Sequence, residues 1–155
     1  MKKHFTATAY IFQEEKVLLH RHEKIGKWLP PGGHIEPNET PHEAALREAK
    51  EECGLTIEIL RDDPLTINQS NAVSIPRPWM ILLEEIPEHK HTAAHQHIDC
   101  IFLAKPVSGQ LLKGFYWFSW EQIEQLDEIF DETKQVLQKL LCEKMPSLLP
   151  QPARM

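Results

Sequence analysis

Three glutamates and an arginine are grouped within residues 47–52 of the chain. Carboxylate oxygens are the ligands that hard divalent cations prefer, so Glu48, Glu51 and Glu52 could together hold Mg²⁺ or Mn²⁺. Such cations neutralise a polyphosphate and lower the pKa of an attacking water. The group, with Arg47 beside it, therefore indicates metal-dependent chemistry at a phosphate.

The same glutamates have a simpler interpretation as the solvated face of a helix. When these residues are projected on a helix with about 100° of rotation per residue, they fall on two opposite arcs. The expected core arc contains Ala45, Leu46, Ala49 and Cys53, and the opposite arc contains Ala44, Arg47, Glu48, Glu51 and Glu52. Like charges one turn apart repel by about 0.2–0.5 kcal/mol per pair, yet most charged faces simply meet water. The helix alone does not decide between the two interpretations.

The ends of this helix are predicted from its capping residues. Thr40 can cap the N-terminus, Pro41 suits the first helical position, and Glu43 completes a capping box. Gly54 suits the left-handed turn that ends many helices. These residues predict a helix from Pro41 to Cys53.

The residues that flank the glutamates favour the metal site. Segment 33–55 resembles the Nudix box, G-x5-E-x7-R-E-U-x-E-E-x-G-U, in which U is a bulky aliphatic residue. The matching positions are Gly33, Glu39, Arg47, Glu48, Ala49, Glu51, Glu52, Gly54 and Leu55. Ala49 stands where a larger aliphatic residue is usual, and because it lies on the core arc we expect it to alter packing more than chemistry.

The resemblance implies a role for each matching polar residue. The metal ligands would be the Gly33 carbonyl and the carboxylates of Glu48, Glu51 and Glu52, with Mg²⁺ as the cofactor and Mn²⁺ as an alternative. Glu48 is also the nearest candidate for the base that activates water. Arg47 would belong to the catalytic set by orienting the ligands together with Glu39, since an arginine can hold carboxylates bidentately.

Two further regions could contribute to substrate binding. Trp28 could stack on a base, although packing is the commoner task of an aromatic residue. Alternation along a strand would place His95, His97 and Asp99 on one face, and a zinc site there matches no established zinc spacing. Family members often supply one more carboxylate from a downstream loop, but residues 108–114 contain no Asp or Glu.

We therefore predict that His97 and Asp99 line the cleft opposite the helix. The alternative for Asp99 is a pairing with a nearby cation. His20 and His22 share a face of an earlier strand and are expected to be polar lining or ordinary surface.

The remaining pattern predicts the elements that position these residues. Strands are expected at residues 4–12, 16–21, 56–60, 79–86, 97–104 and 115–120, and helices at 121–126 and 131–143. The first two strands should form a hairpin. This order predicts an α/β fold, and the resemblance implies an α/β/α sandwich with a mixed sheet and a central catalytic helix. We expect one domain over residues 1–145 and a loosely ordered tail over 146–155.

The composition of the chain limits the kinds of partner and the cellular compartment that we expect. The formal net charge is -6, so the basic surface that would hold a nucleic acid backbone is not expected. Three scattered cysteines, without any C-x-x-C pair, favour a reducing cytoplasm over a disulfide framework. No apolar run approaches the roughly 20 residues of a membrane span. The oligomeric state is not predicted.

The resemblance implies hydrolysis of a diphosphate linkage in a nucleoside diphosphate derivative. We favour nucleoside triphosphates weakly, because a compact chain resembles the simplest subgroup and the proline or tyrosine that marks some other subgroups is not where we would expect it. A nucleotide-sensing module is the alternative, but such modules are expected to lose box carboxylates. A diphosphate-dependent isomerase would want a cysteine near its substrate, whereas Cys53 is predicted to face the core.

Overall fold

The computed structural model describes residues 1–144, which form a mixed β-sheet with helices on both faces. The strands are β1 (Lys3–Gln13), β2 (Lys16–Arg21), β3 (Trp28–Leu29), β4 (Gly32–His34), β5 (Leu55–Ile59), β6 (Asn68–Gln69), β7 (Ala72–Val73), β8 (Met80–Ile86), β9 (His95–Gly109) and β10 (Phe115–Phe118). The helices are α1 (Pro41–Cys53), α2 (Trp120–Glu124) and α3 (Asp131–Gln138), and a π-helical segment (Lys139–Lys144) continues α3. The predicted tail, residues 146–155, lies outside the described residues.

The predicted hairpin is formed by β1 and β2. Phe12 pairs with Val17 and Gln13 with Lys16, which leaves Glu14 and Glu15 as a two-residue turn. Both have positive φ, 49° and 63°, as a type I′ turn requires. This turn fixes the register of the two strands that lead to the candidate site.

The sheet has the order β10-β2-β1-β9-β5, with β3 on β2, β4 on β1 and β8 on β9. The β1–β9 pair is parallel, and its other described pairings are antiparallel. The short strand β4 pairs with the first half of β1, so that Gly33 lies opposite Ala7. This pairing carries the glycine loop to the middle of the sheet.

Alternation along the strands divides the core into two layers. On one face, Ala7 and Phe102 pack against Ala45 and Ala49 of α1. On the other face, apolar side chains of β1, β2 and β9 pack against α2 and α3, with Leu137 fully buried. Helices therefore cover both faces of a mixed sheet, which confirms the predicted α/β/α sandwich.

Three expectations from the sequence differ from the structure. Strand β9 is longer than predicted, because it also pairs with β8 and β5 along its length. The predicted helix over 131–143 is α-helical only to Gln138. Ala44, assigned to the polar arc of α1, is fully buried, because α1 packs against β1 and β4 at this position.

Candidate active site

Helix α1 begins and ends as its sequence predicts. The Thr40 hydroxyl accepts a hydrogen bond from the Glu43 amide, and the Glu43 carboxylate accepts one from the Thr40 amide at 3.1 Å. Gly54 has a φ of 80° and donates its N–H to the Lys50 carbonyl. These caps fix the rotation of α1 and hence the direction of its glutamates.

The glutamates of α1 meet the glycine loop at β4. The Glu48 carboxylate lies directly against Gly33, where only a hydrogen leaves room for it. The Glu52 carboxylate accepts a hydrogen bond of 3.0 Å from the Gly32 amide. Side-chain exposure is 15% for Glu48 and 27% for Glu52, but 60% for Glu51. Two of the three predicted ligands are thus held against the sheet, and the third lies at the rim.

Arg47 links the loop, the helix and the sheet. Its guanidinium holds Glu39 through two hydrogen bonds, Nε to Oε2 at 2.8 Å and Nη2 to Oε1 at 3.0 Å. Its Nη1 donates to Glu48 at 3.0 Å and to Glu51 at 3.3 Å. Its Nη2 also donates to the His34 carbonyl at 3.0 Å. This planar fork fixes the orientation of the carboxylates around it.

The carboxylates repel one another in the described arrangement. The pKa of Glu52 is raised to about 8, mainly by burial of its carboxyl. The Glu48 carboxyl within hydrogen-bonding reach and the charges of Glu48 and Glu51 raise it further. The Gly32 amide opposes this shift only in part. Arg47 contacts Glu48 and Glu51 but not Glu52, so the half-buried Glu52 carboxyl favours either a proton or a cation beside it.

His20 is a residue of this site that the sequence did not single out. Its Nε2 lies 3.7 Å from Glu52 Oε2, and its ring stacks on Phe115 at a centroid distance of 4.4 Å. Burial and the neighbouring His22 lower its pKa, so the imidazole is neutral near pH 7. His20 can therefore serve as a hydrogen-bonding neighbour of Glu52, and only the packing of α1 against the sheet reveals this.

Asp99 occupies the opposite face of the sheet, on the layer that packs against α2 and α3. It is 5% exposed and accepts hydrogen bonds from the hydroxyls of Thr6, at 3.0 Å, and Thr8, at 2.9 Å. The Glu84 carboxyl lies within hydrogen-bonding reach of Asp99. Burial and the charge of Asp99 raise the pKa of Glu84 to about 8. The expected half-exposed carboxylate, lining a cleft or paired with a cation, is instead a buried acid in contact with hydroxyls and a second carboxyl.

His97 belongs to a cluster of four imidazoles that we call the histidine cluster: His4, His34, His95 and His97. The Nε2 of His97 lies 3.2 Å from His95 Nε2, and His4 Nδ1 lies 3.3 Å from His34 Nε2. Burial and the other histidines lower the pKa of His97 to about 4. The sequence suggested His95 and His97 as neighbours, but the pairing of β1 with β4 and β9 adds the other two.

The two remaining candidates lie in packed positions. Trp28 on β3 is half-buried and meets the Phe118 and Tyr116 rings edge-on, at centroid distances of 5.1 and 6.2 Å. Cys53 is fully buried and donates its thiol to the Ala49 carbonyl. A cysteine in that position does not face a substrate, which removes the feature that an isomerase would want.

The α1 carboxylates fit a hard divalent cation by their chemistry. They offer oxygen ligands, their mutual repulsion would be relieved by positive charge, and Gly33 has no side chain to separate its backbone from Glu48. The histidine cluster offers nitrogen ligands and lies on the other face of the sheet. The two groups are chemically distinct.

Comparisons with known proteins agree with this fold. The family model described as the NUDIX domain matches residues 2–140, so the chain belongs to the Nudix family. A crystal structure of a Nudix-family hydrolase from Clostridium perfringens is 31% identical, with a TM-score of 0.74, and the match covers 91% of this chain and 97% of that one. The predicted family resemblance is thereby confirmed.

Two curated relatives match over shorter lengths. "Probable DHNTP pyrophosphohydrolase" of Lactococcus lactis is 31% identical over 98 residues, which cover 63% of this chain and 51% of that protein. The asymmetrical bis(5'-nucleosyl)-tetraphosphatase of Mus musculus is 46% identical over 41 residues, which cover 26% of this chain and 28% of that protein. The chain thus spans about half the length of one relative, and less of the other.

Among residues 1–144, no helix is both long enough and apolar enough to cross a membrane.

Proposed function

We propose that this protein hydrolyses a diphosphate linkage in a nucleoside diphosphate derivative, with Mg²⁺ or Mn²⁺ held by the Gly33 carbonyl, Glu48, Glu51 and Glu52. The observation that carries the proposal is the placement of Glu48 and Glu52 against the glycine loop, where a cation would relieve the repulsion between them. Membership of the Nudix family supports it.

Each residue of the site has a task that follows from its contacts. The bound cation would supply charge neutralisation for the diphosphate and a lowered pKa for the attacking water. Glu48, whose side chain is 15% exposed, would accept a proton from that water. Arg47 and Glu39 keep Glu48 in position through the bidentate pair, and His20 can hold the far oxygen of Glu52. Substrate binding by Trp28, His97 and Asp99 stays a prediction, and His97 and Asp99 could contribute only from the face of the sheet opposite α1.

We favour nucleoside triphosphates among the substrates. One relative is named as a pyrophosphohydrolase of DHNTP, which supports a small triphosphate substrate. The relative named as a dinucleoside tetraphosphatase matches over only 41 residues, too few to carry a substrate preference to this chain. Residues 1–145 would act as one catalytic domain in the cytoplasm.

The test is a substrate panel with Mg²⁺ and Mn²⁺, in which nucleoside triphosphates, nucleotide sugars and dinucleoside polyphosphates are compared by kcat/KM and by their products. Glu52→Gln should lower kcat by about two to three orders of magnitude, as is usual when one electrostatic contribution to a transition state is lost. Thermal stability should stay equal or rise, since a repulsion is relieved.

A matched control lies on the same helix. Glu43→Gln removes a charge from α1 but preserves the capping box, because glutamine can accept the same hydrogen bond. It should retain wild-type kcat. An active Glu52→Gln enzyme with unchanged metal affinity would disprove the ligand assignment, and tight binding of nucleotides without any turnover would instead favour a sensing module.

A further inference from the structure

Three strands bring the histidine cluster together from distant parts of the chain. His4 lies on β1, His34 on β4, and His95 and His97 on β9. His4 on β1 is the direct parallel partner of His97 on β9. His34 follows Gly33 on β4, the strand that pairs antiparallel with β1. One ring nitrogen each from His4, His34 and His97 lies within 4.8 Å of the others.

Two of the nitrogen separations in the cluster match those of a tetrahedral metal site. With metal–nitrogen bonds of about 2.0–2.1 Å, tetrahedral ligands lie about 3.3–3.4 Å apart. His4 Nδ1 and His34 Nε2 are 3.3 Å apart, and His95 Nε2 and His97 Nε2 are 3.2 Å apart. Two close pairs of ring nitrogens at this spacing need either a proton or a cation between them.

The buried member of the cluster, His95, is oriented toward His97. His95 is 8% exposed, and its Nδ1 lies 2.9 Å from the Ala93 carbonyl, which can accept its proton. Its Nε2 then presents a lone pair toward His97. Metal-binding histidines are commonly oriented in this way, by a hydrogen bond from the nitrogen that does not bind the metal. His34 is exposed, so the cluster is open to solvent on one side.

From this geometry we propose that His4, His34 and His97, with His95 beside His97, form a binding site for a transition-metal ion of the zinc class, separate from the carboxylate site. Imidazole nitrogen suits Zn²⁺, Co²⁺, Ni²⁺ and Cu²⁺, whereas Mg²⁺ selects oxygen ligands. The two sites share β4, where Gly33 faces the carboxylates and His34 faces the imidazoles. A bound ion would tie β1, β4 and β9 together beneath the glycine loop.

The test uses the metal-free protein and Zn²⁺ or Co²⁺ alone. Calorimetric titration should give one Zn²⁺ per chain that persists in Glu48→Gln/Glu52→Gln, and Co²⁺ should give the visible spectrum of a tetrahedral nitrogen site. Zn²⁺ should also raise the melting temperature by mass action. The double variant His4→Ala/His34→Ala should lose more than about a hundredfold in Zn²⁺ affinity, since even the loss of an outer-shell partner costs 10–100-fold.

The control is His89→Ala/His91→Ala, which removes the same number of imidazoles from exposed positions outside the cluster. It should bind Zn²⁺ as the wild type does. Equal affinity in both double variants, or binding that disappears only in Glu48→Gln/Glu52→Gln, would overturn the proposal. His34→Gln, at an exposed side chain, repeats the test should the cluster variant fail to fold. Because Mg²⁺-dependent turnover is measured separately, loss of one site is distinguishable from loss of the other.

Discussion

Gly33 and the Glu48 carboxylate are in direct contact, and a Cβ at position 33 would overlap the carboxylate. Gly33 does not have the positive φ that makes glycine necessary on conformational grounds. The glycine is needed here because a strand and a glutamate approach one another closely. This contact joins β4 to α1 at the centre of the proposed metal site.

Gly33→Ala should therefore damage function more than folding. The obstructing atom is the end of a flexible side chain, so the Glu48 carboxylate can move aside at little cost in stability. Its displacement should weaken Mg²⁺ affinity by about 10–100-fold, as disturbances next to a metal ligand do. Metal titration and thermal unfolding of the same samples would measure both effects.

The neighbouring glycine gives the opposite prediction and serves as the comparison. A Cβ at Gly32 would lie 2.7 Å from the Ala7 carbonyl oxygen, which is backbone and cannot rotate away. Gly32→Ala should lower the melting temperature clearly. If Gly33→Ala were the more destabilised of the two, with its metal affinity intact, the proposed role of the Gly33 contact would be wrong.

Replacement of Arg47 by lysine keeps the charge but removes the bidentate pair with Glu39. Arg47 and Glu39 are only 22% and 14% exposed in their side chains, so we expect Arg47→Lys to lower the free energy of unfolding by about 1–3 kcal/mol. It should also reduce kcat/KM, because Glu48 loses its orienting donor. Chemical denaturation and steady-state kinetics would test this.

A surface pair provides the control for that change. Arg21 and Glu128 are about half exposed, so Arg21→Lys should alter stability by less than about 1 kcal/mol.

In a double-mutant cycle, Arg47→Lys and Glu39→Gln together should cost less than the sum of the single changes. Strict additivity would show that the observed pair contributes no coupling energy.

The pKa of Glu52 predicts how the stability of the metal-free protein depends on pH. A carboxyl whose pKa is raised on folding, here to about 8, contributes stability that is present below its unfolded value of 4.5 and is lost as pH rises through 8. The melting temperature in chelator should therefore fall over this interval, and fall less in Glu52→Gln. Metal affinity should strengthen with pH up to about 8, because the cation displaces a proton. Identical pH profiles for the two proteins would contradict this account.

Asp99→Asn tests the buried acid pair on the other face of the sheet. The asparagine oxygen can still accept from Thr6 and Thr8, while its amide can donate to Glu84. We expect the variant to be more stable than the wild type at pH 9, where both acids are otherwise charged, and closer to it at pH 5. Asp127→Asn, at an exposed position, should show no such difference. A fall in kcat/KM of Asp99→Asn would support the predicted role of Asp99 in the cleft.

The sequence determined the features that depend on near neighbours. The capping box at Thr40 and Glu43, the left-handed Gly54 and the β1–β2 hairpin all appear as predicted, because each depends on residues within one or two turns. The core position of Ala49 also followed from helical periodicity. The Nudix box could be recognised from the sequence because its residues lie on one loop and one helix.

The tertiary structure decided which distant side chains meet. Thr6 and Asp99, 93 residues apart, touch because β1 and β9 pair in one parallel register, and the same register brings His4 beside His97. Ala44 is buried because β1 and β4 pack against the side of α1 that periodicity assigned to solvent. A helical projection gives the direction of each side chain from its axis, but only the packing of other strands determines which of those directions are buried.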